Sequence, residues 1–93
     1  MKILVTGVAG FIGYNLSKLL LEKKYKVFGI DNFDNYYSSK FKFERLKDLK
    51  KNKNFKFNKI DITNSSKIKN FFKNKKIDII VHLAAQAGVR YSL

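Results

Sequence analysis

The chain has 93 residues, 45% of them hydrophobic, with no cysteine, no proline and one histidine. That suffices for one small domain with a modest core and is too apolar for a disordered chain. Without cysteine there is no disulfide framework and no thiolate metal centre, and His82 cannot build a zinc site alone, so no metal is expected.

The formal charge is +13, carried almost entirely by lysine; Arg45 and Arg90 are the two arginines. So basic a chain invites a nucleic-acid reading. Here, however, lysine runs through every segment beside many Asn, Ile and Phe, a bias that an A/T-rich coding sequence produces. The expectation is a solvated basic surface, salt-sensitive attraction to polyanions, and no specific nucleic-acid partner. Phe55, Phe57 and the lysines around them form the one strip that a nucleic-acid module could use for stacking. No apolar run reaches membrane-spanning length and no secretory-signal pattern opens the chain, so a soluble cytoplasmic protein without membrane contact is expected.

Lys2 to Thr6 is a short apolar run with β-branched residues, the pattern of a buried parallel strand. Gly7, Gly10 and Gly13 follow at intervals of three. Phe11, Ile12, Leu16, Leu19 and Leu20 then recur at helical spacing, and the helix ends in a basic turn near Lys24. A glycine turn feeding a helix N-terminus aims backbone N–H groups and the positive end of the helix dipole at one spot, a geometry that holds a diphosphate. Val8 between the glycines would be strained if its φ were positive.

Residues 26–30 read as the second strand, and Asp31 closes it, eighteen positions beyond Gly13. A carboxylate there accepts hydrogen bonds from the two ribose hydroxyls of an adenosine and repels a 2′-phosphate, which favours NAD over NADP. The segment from Tyr36 to Lys51 allows a short helix, with Ser38 or Ser39 as N-cap. Residues 55–60 alternate as a third strand with one exposed face. Asp61 follows it, open to two readings: an adenosine contact or a helix cap. Asn64 or Ser65 caps a helix with the stripe Ile68, Phe71, Phe72. Residues 78–83 form a fourth strand, apolar on both faces and therefore central, in which His82 reads as a hydrogen-bonded core residue. The order β-α-β-α-β-α-β predicts an α/β, Rossmann-like, doubly wound parallel sheet of spatial order 3-2-1-4, with ligand at the strands' carboxyl ends.

The spacing T-G-x-x-G-x-x-G, with Phe11-Ile12 between the last two glycines, resembles the extended short-chain dehydrogenase/reductase family of NAD-dependent epimerases and dehydratases. The stretch H-L-A-A-Q-A-G-V-R-Y-S at residues 82–92, with G-I-D-N-F-D-N-Y-Y at 29–37, is similar to its UDP-glucuronate 4-epimerase branch. Dehydratases and UDP-glucose/galactose 4-epimerases share the first motif and are the alternatives. The resemblance implies diphosphate contacts at Gly7, Gly10, Phe11, Ile12 and Gly13, and adenosine contacts at Asp31, Asn32, Asp61 and Ile62. It implies nicotinamide-side contacts at Leu83, Ala84, Ala85, Gln86 and Ala87. Arg90 has the fork to meet a sugar carboxylate or diphosphate.

The family's chemistry uses a Tyr-x-x-x-Lys pair and a Ser or Thr beyond a fifth strand. Tyr14/Lys18 and Tyr36/Lys40 match that spacing, but five tyrosines in so lysine-rich a chain produce about one such match by chance. Neither pair should reach the nicotinamide, so no catalytic residue is assigned. The chain thus reads as the N-terminal part of a dinucleotide-binding domain, truncated after the fourth strand, with the substrate domain absent. Full length, it is expected to be a homodimer acting on a nucleotide sugar.

Overall fold

The computed structural model describes residues 1–31, 39–73 and 75–83. Seven elements alternate: β1 (Lys2–Thr6), α1 (Phe11–Glu22), β2 (Lys26–Asp31), α2 (Ser39–Leu49), β3 (Phe55–Lys59), α3 (Ser65–Lys73) and β4 (Ile79–His82). The four strands form one parallel sheet of order β3-β2-β1-β4, as the alternation predicted. β1 therefore has a neighbour on each side. Its carboxyl end lies where the chain order reverses, at the crevice such sheets offer to ligands.

The two faces of the sheet bury different sets, as a period of two requires. Ile3, Val5 and Val27 pack with Leu21 of α1 and Leu46 and Leu49 of α2. Leu4 and Ile30 point the other way and pack with Ile60 and with Phe71 of α3. Phe71 meets Phe28 edge-on at 6.1 Å, the offset geometry that aromatic quadrupoles favour. Asn64 caps α3, its side-chain oxygen accepting from the Lys67 N–H at 3.2 Å.

Two expectations need correction. The apolar series read on α1 is its buried face only in part: Leu16 and Leu20 are half-buried, Leu20 against the core, but Phe11, Ile12 and Leu19 are exposed, and Gly13, Ser17 and Leu21 face the sheet. Small residues let the helix approach closely, so the buried stripe carries little hydrophobic signal. The helix also stops at Glu22, which leaves no basic residue in its last turn. Lys24 follows with φ of 70°, its N–H donating to Leu21 O at 2.9 Å, in the left-handed conformation that usually falls to glycine. β4 pairs with β1 alone among the described strands, and Ile79 and Ile80 are exposed: it forms the apolar edge that the predicted order 3-2-1-4 requires, although its two apolar faces suit a central strand.

Candidate functional site

The loop after β1 is drawn across the end of β2. Gly7 takes φ of 69°, which a Cβ would oppose. The Gly7 and Val8 N–H groups both donate to Ile30 O, at 2.8 and 3.3 Å, and Gly10 N–H returns to Gly7 O at 3.0 Å. Gly10 is the N-cap of α1 with no side-chain cap bond, and the first turn holds no acidic residue. The first carbonyl-bonded amide of the helix is Tyr14 N–H, donating to Gly10 O at 2.9 Å. The preceding N–H groups of Phe11, Ile12 and Gly13 are the orphan donors of the helix start, open to an anion.

Gly13 holds the helix against the loop. A Cβ there would collide with Gly7 O and lie 3.0 Å from Val8 Cα. Val8 itself is unstrained, since Lys24 is the one non-glycine residue with positive φ among those described. Its buried side chain fills the space above Gly29, where an added Cβ would stand 2.8 Å from Val8 Cγ1.

Asp31 faces this loop. Its Oδ2 accepts from Ala9 N–H at 3.1 Å, and Lys42 of α2 places Nζ 3.6 Å from Oδ1. Arg45, one turn further along α2, donates from a guanidinium N–H to Ala9 O at 3.0 Å, its guanidinium carbon 6.0 Å from the Phe11 ring centre. The Ala9 peptide is thus held from both sides, by a carboxylate and by a guanidinium. Sequence reasoning assigns no site role to Lys42 or to Arg45. Their spacing of three on one helix was visible, but the partners lie far away in the chain.

Around this centre the expected residues divide. Asp61 is exposed and folds its own turn, Oδ1 accepting from Thr63 N–H at 2.9 Å and from the Thr63 hydroxyl at 2.7 Å; Asn64, not Asp61, caps the helix. Ile62 packs beside the Leu4–Ile30 cluster. Leu83 follows β4, its N–H donating to Thr6 Oγ1 at 2.9 Å. Asn32, Ala84, Ala85, Gln86, Ala87 and Arg90 lie outside the described residues, as do Tyr36 and Ser38. His82 does form a hydrogen bond, Nδ1 to Thr6 Oγ1 at 2.8 Å, but it is exposed rather than a core residue.

The Tyr14/Lys18 pair serves a different purpose. The Tyr14 hydroxyl donates to Asp48 Oδ2 at 2.6 Å and Lys18 Nζ lies 3.6 Å from the same oxygen, a clasp between α1 and α2. The Tyr14 hydrogen bond first, then the charges of Lys18 and Lys51, hold the Asp48 carboxyl below the usual carboxylate range. The Phe55–Phe57 stacking strip does not exist as a surface. Phe55 is 5% exposed within the core, and Phe57 is half-buried under Lys50.

A family profile described as GDP-mannose 4,6 dehydratase matches residues 4–93. The chain belongs to that family. It is 50% identical over 90 residues to the UDP-glucuronate 4-epimerase of Thermodesulfobacterium geofontis, covering 97% of this chain and 28% of that protein. A crystal structure of a tyrosine-to-phenylalanine mutant of the Bacillus cereus UDP-glucuronic acid 4-epimerase, with NAD and a fluorinated UDP-sugar, superposes with a TM-score of 0.82 at 42% identity, covering 97% of this chain and 28% of that one. The dTDP-glucose 4,6-dehydratase of Bacillus anthracis, also with NAD, superposes at 0.79 and 30% identity, covering 94% and 27%. The chain therefore spans little more than a quarter of the length of these family members. Among the described residues no helix is long and apolar enough to cross a membrane.

Proposed function

We propose that these residues are the cofactor-binding N-terminal portion of an NAD-dependent UDP-glucuronate 4-epimerase. One observation carries the reading: the Asp31 carboxylate reaches Ala9 N–H in the loop that opens α1, so ribose and diphosphate partners stand side by side. The higher identity to UDP-glucuronate 4-epimerases than to the dehydratase supports the epimerase branch. For a cytoplasmic homodimer as the full-length form, the family resemblance is the whole support.

The residues fit the dinucleotide. Glycine at 10 and 13 lets the start of α1 pack directly on the Gly7 carbonyl, and the N–H groups of Phe11, Ile12 and Gly13 would supply donors to a diphosphate. Asp31 would accept from the ribose hydroxyls, and by the family resemblance Asn32, Asp61 and Ile62 would border the adenosine. Leu83, Ala84, Ala85, Gln86 and Ala87 would line the nicotinamide side, with Arg90 toward the sugar's charged groups. When bound, NAD accepts a hydride from the sugar's C4 and returns it to the opposite face. The part played by this chain is to bind and orient; no residue of it is assigned to move the proton.

The test is a chimera in which this chain replaces the matching residues of the Bacillus cereus enzyme. It is expected to retain NAD through purification and to epimerise UDP-glucuronate. A folded chimera that holds no NAD overturns the proposal. Turnover of UDP-glucuronate by the 93 residues alone would show that a catalytic group had been overlooked.

A further inference from the structure

Asp31 is normally read as the residue that refuses a 2′-phosphate, because its charge repels one. Here that charge is not alone. Lys42 sits 3.6 Å from Asp31 Oδ1, and the side chains are 15% and 5% exposed, so water screens the pair little. Arg45 follows on the same helix and bonds the peptide that Asp31 also bonds, at Ala9. Two cations from α2 therefore stand over one carboxylate and one peptide.

We infer that Lys42 is a selectivity-determining residue for the dinucleotide, the cation of a latent 2′-phosphate subsite that Asp31 keeps closed. The inference rests on the proposed NAD-binding function. A cation touching the carboxylate that receives the ribose diol stands within one side chain's reach of a group on the 2′ oxygen. With Asp31 ionised, the pair is close to neutral. Asp31 then discriminates by competing for Lys42 and by accepting the hydroxyls, rather than by uncompensated repulsion. Once the carboxylate is removed, the ammonium is left to meet a phosphate, with the Arg45 guanidinium nearby as a second donor.

Saturation-transfer NMR on the purified chain, which reads weak binding, measures NAD and NADP separately for wild type, Lys42→Gln, Lys42→Arg, Asp31→Ser and the double variant Asp31→Ser/Lys42→Gln. Far-UV circular dichroism checks that each is folded. Lys42→Gln should widen the preference for NAD over NADP by about threefold, and Lys42→Arg should restore the wild-type ratio. Asp31→Ser should move the ratio toward NADP by about tenfold, and the double variant should lose that gain. A double variant that keeps the gain, or a Lys42→Gln chain with an unchanged ratio, overturns the inference while leaving NAD binding in place. Folded chains that bind neither dinucleotide overturn the proposed function together with it.

Discussion

Replacing Gly13 by alanine sets two effects against each other. Inside a helix, alanine is favoured over glycine by about 1 kcal/mol. Against that, the new methyl would strike Gly7 O and stand 3.0 Å from Val8 Cα and 3.1 Å from Gly7 C. All three are backbone atoms of a loop pinned to Ile30 O, so no rotamer change relieves the contact. To restore ordinary separation the helix must lift by about 1 Å, which forfeits a quarter to a half of the dispersion energy of the contacts along its buried stripe. Ser17 and Leu21 lie on that stripe. Overpacking of this kind costs about 1–3 kcal/mol. Because the atoms struck are backbone, the upper part of that range applies, about 2–3 kcal/mol, and with the propensity gain of about 1 kcal/mol subtracted the net loss is about 1–2 kcal/mol. In a domain of this size that lowers the melting temperature by about 5–15 °C. Urea unfolding and thermal melts of Gly13→Ala beside wild type measure it. A variant as stable as wild type would mean that α1 does not lie so close to the loop, and the diphosphate geometry would lose its basis.

Ser17 is fully buried and its hydroxyl has no hydrogen-bond partner among the described residues. Ser17→Ala should therefore stabilise the chain by about 1 kcal/mol, read as a higher urea midpoint. Tyr14→Phe removes the largest cause of the lowered Asp48 pKa. A depressed carboxyl stabilises the fold above its unfolded pKa and loses that contribution as pH falls through the folded one, so the wild-type effect disappears below about pH 4. The variant should show a shallower acid loss in that window, and NMR titration should find Asp48 nearer its ordinary value. The exposed Ile79 and Ile80 on the β4 edge predict self-association of the isolated chain. Sedimentation should report a concentration-dependent mass that Ile80→Lys reduces; a monomer at every concentration would refute this.

Strands, crossovers and sheet order were legible because each rests on local signals: an apolar run, a glycine turn, a cap, then another apolar run. The face of α1 was not, because its contact with the sheet is made by Gly13 and Ser17, whose value lies in being small. Their spacing of four, continued by Leu21, was the available sign. Asp31 was legible from its place at the end of β2. Its partners on α2 were not, since a lysine eleven positions further on in a lysine-rich chain carries no pairing information. His82 was correctly read as bonded and wrongly read as buried, because a two-faced apolar strand predicts a neighbour that the described residues do not supply.

Val8 and Gly29 share one volume between the loop and β2, so neither position can be judged by itself. A methyl added at 29 would stand 2.8 Å from Val8 Cγ1 and 2.9 Å from the Phe55 ring, so alanine at 8 relieves one of its two contacts. Thermodynamic coupling follows from that relief: Gly29→Ala should cost less in a Val8→Ala background than in the wild type, with the Phe55 contact left in both. Anyone redesigning this turn must treat residues 8 and 29 as a single choice made twice.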